Sequence, residues 1–297
     1  MVVVYRAEPA DLDALIARLD DDCAATVVVI NGADGGAVKA FTHRFPRVTC
    51  LANAHNAGVA AAQNQGIQAA RALGADAVLL MDQDSLPPAG GVAHLQAQLN
   101  HHRGQGAPVA AVGPAYHQGD DNPWPGFVRI RPWGLRRVRP RAGETTVDAD
   151  FLIASGMLIP GEVLDELGAM DEALFIDHVD TEWCLRARRA GYRLLGVTGA
   201  PFAHSLGERQ RPVWWGRRRS VAVYPPWRYY MMARNSLLLY RRRALPLAWK
   251  LADLRRTLTL AVWILLAGPA RRRSLGALGR GAWAGVRRRT GPPPERL

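Results

Sequence analysis

Two carboxylates one residue apart, in Asp82-Gln83-Asp84-Ser85, close an apolar run at 76–81. Hard divalent cations bound to phosphate take such oxygen ligands, usually one or two carboxylates with water and substrate oxygens completing the shell. Alone, the tetrapeptide also reads as a solvated turn whose Asp or Ser caps a helix after Pro87-Pro88. A second acidic group stands at Asp177-His178-Val179-Asp180-Thr181-Glu182, where a helical segment 179–190 begins before Gly191. Acids there stabilise the helix dipole whether or not they do chemistry. Asp180 and Glu182 are two residues apart, so on a helix they point about 200° apart and do not serve one acceptor group. Glu182, four residues before Arg186, fits a helix-surface pair. His204 ends a probable strand; as a metal ligand it suits Mn²⁺ better than Mg²⁺.

Something must hold these groups at one place. Val2–Tyr5 and Thr26–Ile30 are β-branched runs on either side of a segment with Leu12, Leu15, Ile16 and Leu19 at helical spacing, which predicts strand, helix, strand. A turn at 31–36, a strand at 48–51, an alanine-rich helix at 60–73 and the apolar strand at 76–81 follow. Strands alternating with helices predict an α/β fold with mainly parallel pairing and ligands at the carboxyl ends of the strands. The Gly-, Pro-, Trp- and Arg-rich stretch 114–141 reads as a long functional loop or irregular excursion, and 151–159 resumes an apolar run. Gly66 within the alanine-rich helix costs about 1 kcal/mol relative to Ala, which close packing or ligand approach must offset. Ser155-Gly156 reads equally as a tight substrate contact or as a bend between apolar strands.

The 297-residue chain carries a formal charge of +12. Residues 1–200 hold 17 Lys/Arg against 23 Asp/Glu, and residues 201–297 hold 21 against 3, so the two parts carry −6 and +18. Such segregation predicts a polyanionic partner for the C-terminal part, a nucleic acid or an anionic membrane surface. Three cysteines, Cys23, Cys50 and Cys184, with no C-x-x-C spacing argue against a disulfide framework or a cysteine zinc site. The start Met1-Val2-Val3-Val4-Tyr5 lacks the features of a secretory signal, so a cytoplasmic location is expected. Leu247, Leu251, Leu254, Leu258, Ala261 and Leu265 recur at steps of three and four among Arg241–243, Arg255-Arg256 and Arg271–273. Residues 257–270 are free of charge but span only about 21 Å as a helix, short of a hydrocarbon core of about 30 Å. The expectation is an amphipathic helix lying peripherally on the inner face of the cell membrane, apolar stripe inward and arginines among headgroups; a helix packed on the catalytic domain with a solvated basic face is the alternative.

Asp82–Ser85, Ala154-Ser155-Gly156, Asp180–Tyr192 and Ala233-Arg234-Asn235 occur in order, with Asn53-x-x-Asn56-x-Gly58 and Asn64-x-Gly66 upstream. Together they resemble the family-2 inverting glycosyltransferases of GT-A fold, bacterial rhamnosyltransferases in particular, over residues 1 to about 240. The resemblance implies a Rossmann-like, mixed but mainly parallel sheet flanked by helices; the change of composition beyond about Pro225 divides the chain into a catalytic domain at 1–225 and a basic helical extension at 226–297. It implies a nucleotide-diphosphate sugar donor, Mg²⁺ or Mn²⁺, and inversion at the anomeric carbon. Asp82 and Asp84, with His204 as a third ligand, would hold the metal; Asp180 would be the general base. Asn53, Asn56, Gly58 and Asn64 would shape the donor side with the two aspartates, and Ser155, Gly156, Glu182 and Trp183 the acceptor or donor loop. The expected reaction moves L-rhamnose from dTDP-L-rhamnose to a lipid-linked or growing polysaccharide acceptor. One departure is Ile30-Asn31-Gly32-Ala33, where the family has Asp-Asn-Gly-Ser; the acid that recognises the nucleobase is missing, with Asp34 as a substitute or backbone groups in its place.

Two other classes compete. A nucleotidyltransferase or other metal-dependent nucleotide-sugar enzyme shares the paired aspartates but leaves Asp180–Tyr192 unexplained. A nucleic-acid binder using the basic segment with Trp214, Trp215, Trp227, Tyr229 and Tyr230 leaves the acidic constellation unused, so no nucleic acid is expected as a partner.

Overall fold

The computed structural model describes residues 1–6, 9–32, 35–117, 124–204, 210–214, 218–242 and 245–295. Chain order is β1 (Val2–Val4), α1 (Pro9–Asp22), β2 (Val27–Asn31), α2 (Gly35–Arg44), β3 (Thr49–Asn53), α3 (Val59–Ala72), β4 (Ala77–Asp82), β5 (Ser85–Leu86) and α4 (Gly91–Gly104). Then come β6 (Val109–His117), β7 (Phe127–Arg131), β8 (Gly134–Val138), β9 (Thr146–Ala149), β10 (Met157–Pro160), α5 (Gly161–Leu167), α6 (Val179–Arg189) and β11 (Arg193–His204). The order finishes with β12 (Gln210–Trp214), β13 (Arg218–Ala222), α7 (Pro226–Tyr240), α8 (Leu247–Ala267) and α9 (Arg271–Val286).

The main sheet runs β3-β2-β1-β4-β10-β6-β11-β5, with β9 also on β11. Its first four strands are parallel, whereas β10 lies antiparallel between β4 and β6. Period-2 alternation divides the apolar side chains between two faces. Val2, Val4 and Val28 pack with Leu15, Ile16 and Leu19 of α1 and Leu95 and Leu99 of α4. Val3, Val27 and Val29 point the other way, toward Ala60, Ala62 and Ile67 of α3 and Trp183 and Leu185 of α6. The result is a mixed, mainly parallel sheet between helical layers, as expected of the GT-A arrangement. At Gly66 a Cβ would stand 2.1 Å from the end of the Met1 side chain, so helix-to-sheet packing accounts for that glycine.

Two readings are corrected. The stretch 114–141 is not one irregular excursion: β6 continues to His117, and β7 and β8 pair as an antiparallel hairpin from Phe127 to Val138. The arginines are not all turned outward either. Arg242 is drawn inward by Asp171 and by Glu182 at 2.7 Å, carboxylates of the catalytic domain, and Arg256 is held by Asp253 of its own helix at 2.8 Å. Arg243, Asp34 and Trp215 lie outside the described residues.

The last helices close over the loop before α6. Arg234, fully buried in α7, donates to the carbonyl oxygens of Leu174 and Ala173, and the Asn235 amide donates to those of Leu174, Ile176 and Asp177. These bonds hold a loop in which Phe175, Asp177 and His178 all have positive φ, near 63–65°. Non-glycine residues in such conformations cost of order 1–3 kcal/mol each and persist where the surroundings enforce them, often at functional sites.

Candidate active site

Asp82 ends β4 and Asn31 ends β2, both at the carboxyl edge of the parallel strands. A cavity of about 470 Å³ opens there, lined by Asn31, Asn56, Gly58, Asp82, Asp84 and, from across the gap, Asp177, Asp180 and Arg228. Strand end and helix start thus bring Asp82, Asp84 and Asp180 together from 98 residues apart in sequence.

The crowding of carboxyl groups shows in their acidity. Burial, reinforced by Asp84 and then Asp180, pushes Asp82 up to about 7, with Arg228 opposing. Burial also raises Asp180, against hydrogen bonds from Thr181 and the Ala154 backbone; the Thr181 N–H donates to Asp180 Oδ1 at 2.7 Å. Arg228 Nη2 stands 3.3 Å from Asp177 Oδ1, placing a cation at the rim. His204 Nδ1 is 2.5 Å from Ser85 Oγ and 3.6 Å from Asp84 Oδ1, because the antiparallel pairing of β11 with β5 sets His204 opposite Ser85.

Among the described residues no three His, Cys, Asp or Glu side chains form a ready-made metal cage. That agrees with the donor set. Asp82 and Asp84 supply hard carboxylate oxygens beside a third carboxylate, His204 stands next to Asp84, and a cation bound through phosphate needs only one or two protein carboxylates. Burial and then repulsion from Asp84 and Asp180 raise Asp82, and a divalent charge in contact with it would offset both. The residues fit such an ion.

The other expected site residues divide. Asn56 and Gly58 line the cavity, tied to β2 by Asn31, whose Nδ2 donates to Asn56 Oδ1 at 3.0 Å and to the Gly58 carbonyl at 3.2 Å. Asn53 lies behind them, its amide donating to Asn31 Oδ1 and exchanging hydrogen bonds with Gln65. Asn64 faces another segment, accepting from the Met170 N–H at 2.8 Å and donating to Glu172. Ser155 and Gly156 sit under the site: Ser155 is fully buried, its Oγ accepting from the Asp82 N–H at 3.3 Å, and the Gly156 N–H donates to Leu80. Gly156 has φ +74° and a Cβ there would stand 2.6 Å from Pro114, so close packing explains it. Glu182 and Trp183 turn away: Glu182 is buried between Arg186 and Arg242, and Trp183 is a core side chain donating to the Gly168 carbonyl at 2.9 Å. The turn of α6 that aims Asp180 at the cavity sends these two inward.

Sequence reasoning gave no role to Asn31 or Arg228 and weighed Asp177 as one of the acids at the helix start. Arg228 in Pro226-Trp227-Arg228-Tyr229 carried no signal beyond charge. Tyr229 and Tyr230, candidates for stacking on nucleic acid bases, are buried in contact with α8 and α9 residues.

A model of glycosyltransferase family 2, described as "Glycosyltransferase like family 2", matches residues 12–222, so the chain belongs to that family. The chain is thus a glycosyltransferase that draws on a nucleotide-sugar donor. The chain is 29% identical over 249 residues to dTDP-rhamnosyl transferase RfbF of Shigella flexneri, an alignment covering 83% of this chain and 81% of that one. Solved structures share the fold. TarS of S. aureus, residues 1–349, superposes with TM-score 0.59 at 14% identity over 96% of this chain and 79% of that one. GalNAc-T7, solved with UDP, GalNAc and Mn²⁺, gives 0.57 at 16% identity over 87% of this chain and 53% of that one. The chain spans about half the length of GalNAc-T7 and of the longer TarS structure, of which it covers 48%.

Proposed function

We propose that this protein transfers L-rhamnose from dTDP-L-rhamnose, with inversion, to a hydroxyl of a lipid-linked or polysaccharide acceptor at an anionic membrane surface. The observation that carries the reading is the single cavity shared by Asp82, Asp84 and Asp180. The dTDP-rhamnosyl transferase relative supports the donor assignment.

In this reading residues 1–225, completed by Arg228 of α7, perform the chemistry, and the rest of 226–297 attaches the protein to its acceptor's surface. Asp82 and Asp84, with His204 beside them, hold Mg²⁺ or Mn²⁺, which when bound neutralises charge on the departing nucleotide diphosphate. Arg228 adds a positive charge on the same side, and Asp177 orients its guanidinium. Asp180 accepts the proton of the acceptor hydroxyl as that oxygen attacks the anomeric carbon from the face opposite the leaving group. Its raised proton affinity brings a carboxylate closer to the pH at which a base works well. Asn31, Asn56 and Gly58 shape the donor wall.

The membrane assignment rests on α8. Leu247, Leu251, Leu254, Leu258, Val262 and Leu265 are 42–69% exposed on one side of it, and Trp283 of α9 is exposed as well. No helix among the described residues is long and apolar enough to cross a membrane, and an exposed apolar stripe beside arginines suits an interfacial helix.

Calorimetric titration with a panel of nucleotide sugars, in Mn²⁺ or Mg²⁺ and in EDTA, tests the reading. dTDP-L-rhamnose should bind most tightly and only with metal. Binding of no nucleotide sugar, or equal affinity in EDTA, contradicts it.

A further inference from the structure

The donor cavity has two unlike walls. At the strand ends it is polar, lined by Asn31, Asn56, Gln63, Asp82, Gln83 and Asp84. Around Asp180 it is apolar, with Ile153 and Ala154 ahead of Ser155, Ile176 and Val179 on either side of Asp177-His178, and Trp227 at the start of α7. Val179 is buried, but Ile153 and Trp227 remain 36% and 37% exposed, so a ligand in the cavity can still cover them. Small-molecule sites commonly combine such apolar surface with a few polar groups that fix orientation.

Position assigns the apolar wall to the transferred sugar. The Ala154 N–H donates to the Asp180 carboxylate, which sets Ile153 and Ala154 against the base, and Val179 immediately precedes it in α6. Arg228 Nη2, 3.3 Å from Asp177 Oδ1, ties the start of α7 to the same loop and so brings Trp227 to it. With a diphosphate at Asp82 and Asp84 and an attacking hydroxyl at Asp180, the sugar ring lies between the polar wall and this one. A 6-deoxyhexose carries a methyl group where an ordinary hexose carries a hydroxymethyl. The methyl gains by covering isoleucine and indole, whose flat face suits C–H groups, whereas a hydroxyl pressed there gives up water without a partner in return. The charged neighbours on the loop side, Asp177 and Arg228, are paired with each other.

We propose that Ile153, Ile176 and Trp227 form the sugar-selecting wall of the donor site, receiving the C6 methyl and adjoining C–H face of a 6-deoxyhexose and disfavouring the hydroxymethyl of an ordinary hexose. The proposal rests on the sugar-transfer reading above and supplies the residues that choose its sugar. Apolar pockets separate ligands that differ by one small group by about 10–200-fold, and discriminate against an added hydroxyl by about 10².

The test compares dTDP, dTDP-L-rhamnose and dTDP-L-mannose, the last differing from the second only by a hydroxyl on C6. Their affinities are measured by calorimetry in Mn²⁺ for the full-length protein and for Ile153→Ser, Ile153→Val and Trp227→Ala. Both positions are partly exposed, and the unfolding temperature checks that the fold is kept. Wild type should bind the 6-deoxy donor about 10–100-fold more tightly than its 6-hydroxy counterpart. Ile153→Ser and Trp227→Ala should each shrink that ratio at least about fivefold, chiefly by weakening the rhamnose donor, and Ile153→Val should retain it. Affinity for dTDP should stay at the wild-type value in all three, because the diphosphate and base do not touch this wall. Equal wild-type affinity for the two donors overturns the proposal, as do losses in the serine and alanine variants that are the same for dTDP as for both sugars. Wild-type affinities for both donors in those variants also overturn it and leave the wall to the acceptor. If the wild type binds neither donor, the sugar-transfer reading fails and the wall with it; if it binds both alike, only the wall fails.

Discussion

Asp253→Asn tests whether α8 is an appendage or part of the catalytic framework. Asp253 is buried, accepting from Arg256 at 2.8 and 3.1 Å and from the Tyr240 hydroxyl at 2.7 Å, and His178 Nε2 stands 3.6 Å away. Hydrogen bonds to a charged group contribute about 1.5–3 kcal/mol each. Arg256 is half exposed and regains water when released, so the amide should cost about 2–4 kcal/mol in total. The unfolding temperature should drop by roughly 4–16 °C, at about 2–4 °C per kcal/mol. Burial works against ionisation of Asp253, but His178, Arg256 and hydrogen bonds from Ser236 and Tyr240 outweigh it and hold the group below its ordinary value. Its folded-state affinity for protons being lower than in the unfolded chain, the stabilisation is complete above the ordinary carboxylate range and is lost as pH falls below it. The gap between variant and wild type should therefore close in acid. Urea unfolding followed by circular dichroism, at neutral pH and below pH 4, reads both effects. Since His178 opens the helix bearing Asp180, kcat should fall while donor affinity is kept. A variant matching wild type in both stability and kcat refutes the claim that this contact supports the loop.

Gly58→Ala should destabilise by about 2–5 kcal/mol and weaken donor binding, since φ is +90° and the new Cβ would stand 2.5 Å from the Phe175 ring and 2.8 Å from its carbonyl oxygen; wild-type stability in urea contradicts this. Because burial and then Asp84 and Asp180 raise Asp82 to about 7, the metal-free folded protein keeps a proton that the unfolded chain releases near pH 4. Stability in EDTA should thus decline as pH rises from about 4 to about 7 and level off above, and Asp82→Asn should flatten the decline; an unaltered profile excludes Asp82 as its source. Replacing Leu251, Leu254 and Leu258 by Ser should change stability by less than about 0.5 kcal/mol per site, as they are exposed, yet sharply reduce co-sedimentation with anionic vesicles. Unchanged sedimentation removes the membrane role of the stripe.

Much of this was legible because it is local. The valine runs of β1 and β2, the Leu12–Leu19 periodicity of α1 and the carboxylates after β4 each write their structure into a few neighbouring residues. The insertion of β10 between β4 and β6 was not legible, since Met157–Pro160 is buried on both faces and an unbroken apolar run says nothing of strand direction. The β7–β8 hairpin was hidden by arginines and a glycine turn that mimic loop composition. At the site, Asp82, Asp84, Asp180, Asn56 and Gly58 line one cavity, whereas Asn53, Asn64, Glu182 and Trp183 are engaged in hydrogen bonds and core packing away from it. That division depends on helix phase and on partners far along the chain. Arg242 meets Glu182 from 60 residues away, and Arg234 and Asn235 hold a loop some 60 residues earlier.

The role of Asp180 as base is tested most directly by Asp180→Asn, with donor binding and sugar transfer measured on the same preparation. The amide preserves shape but accepts no proton at neutral pH, so dTDP-L-rhamnose should bind with metal as in wild type while turnover falls by about 10²–10⁴-fold. Turnover near that of wild type would contradict the assignment and leave the inverting reaction without its base.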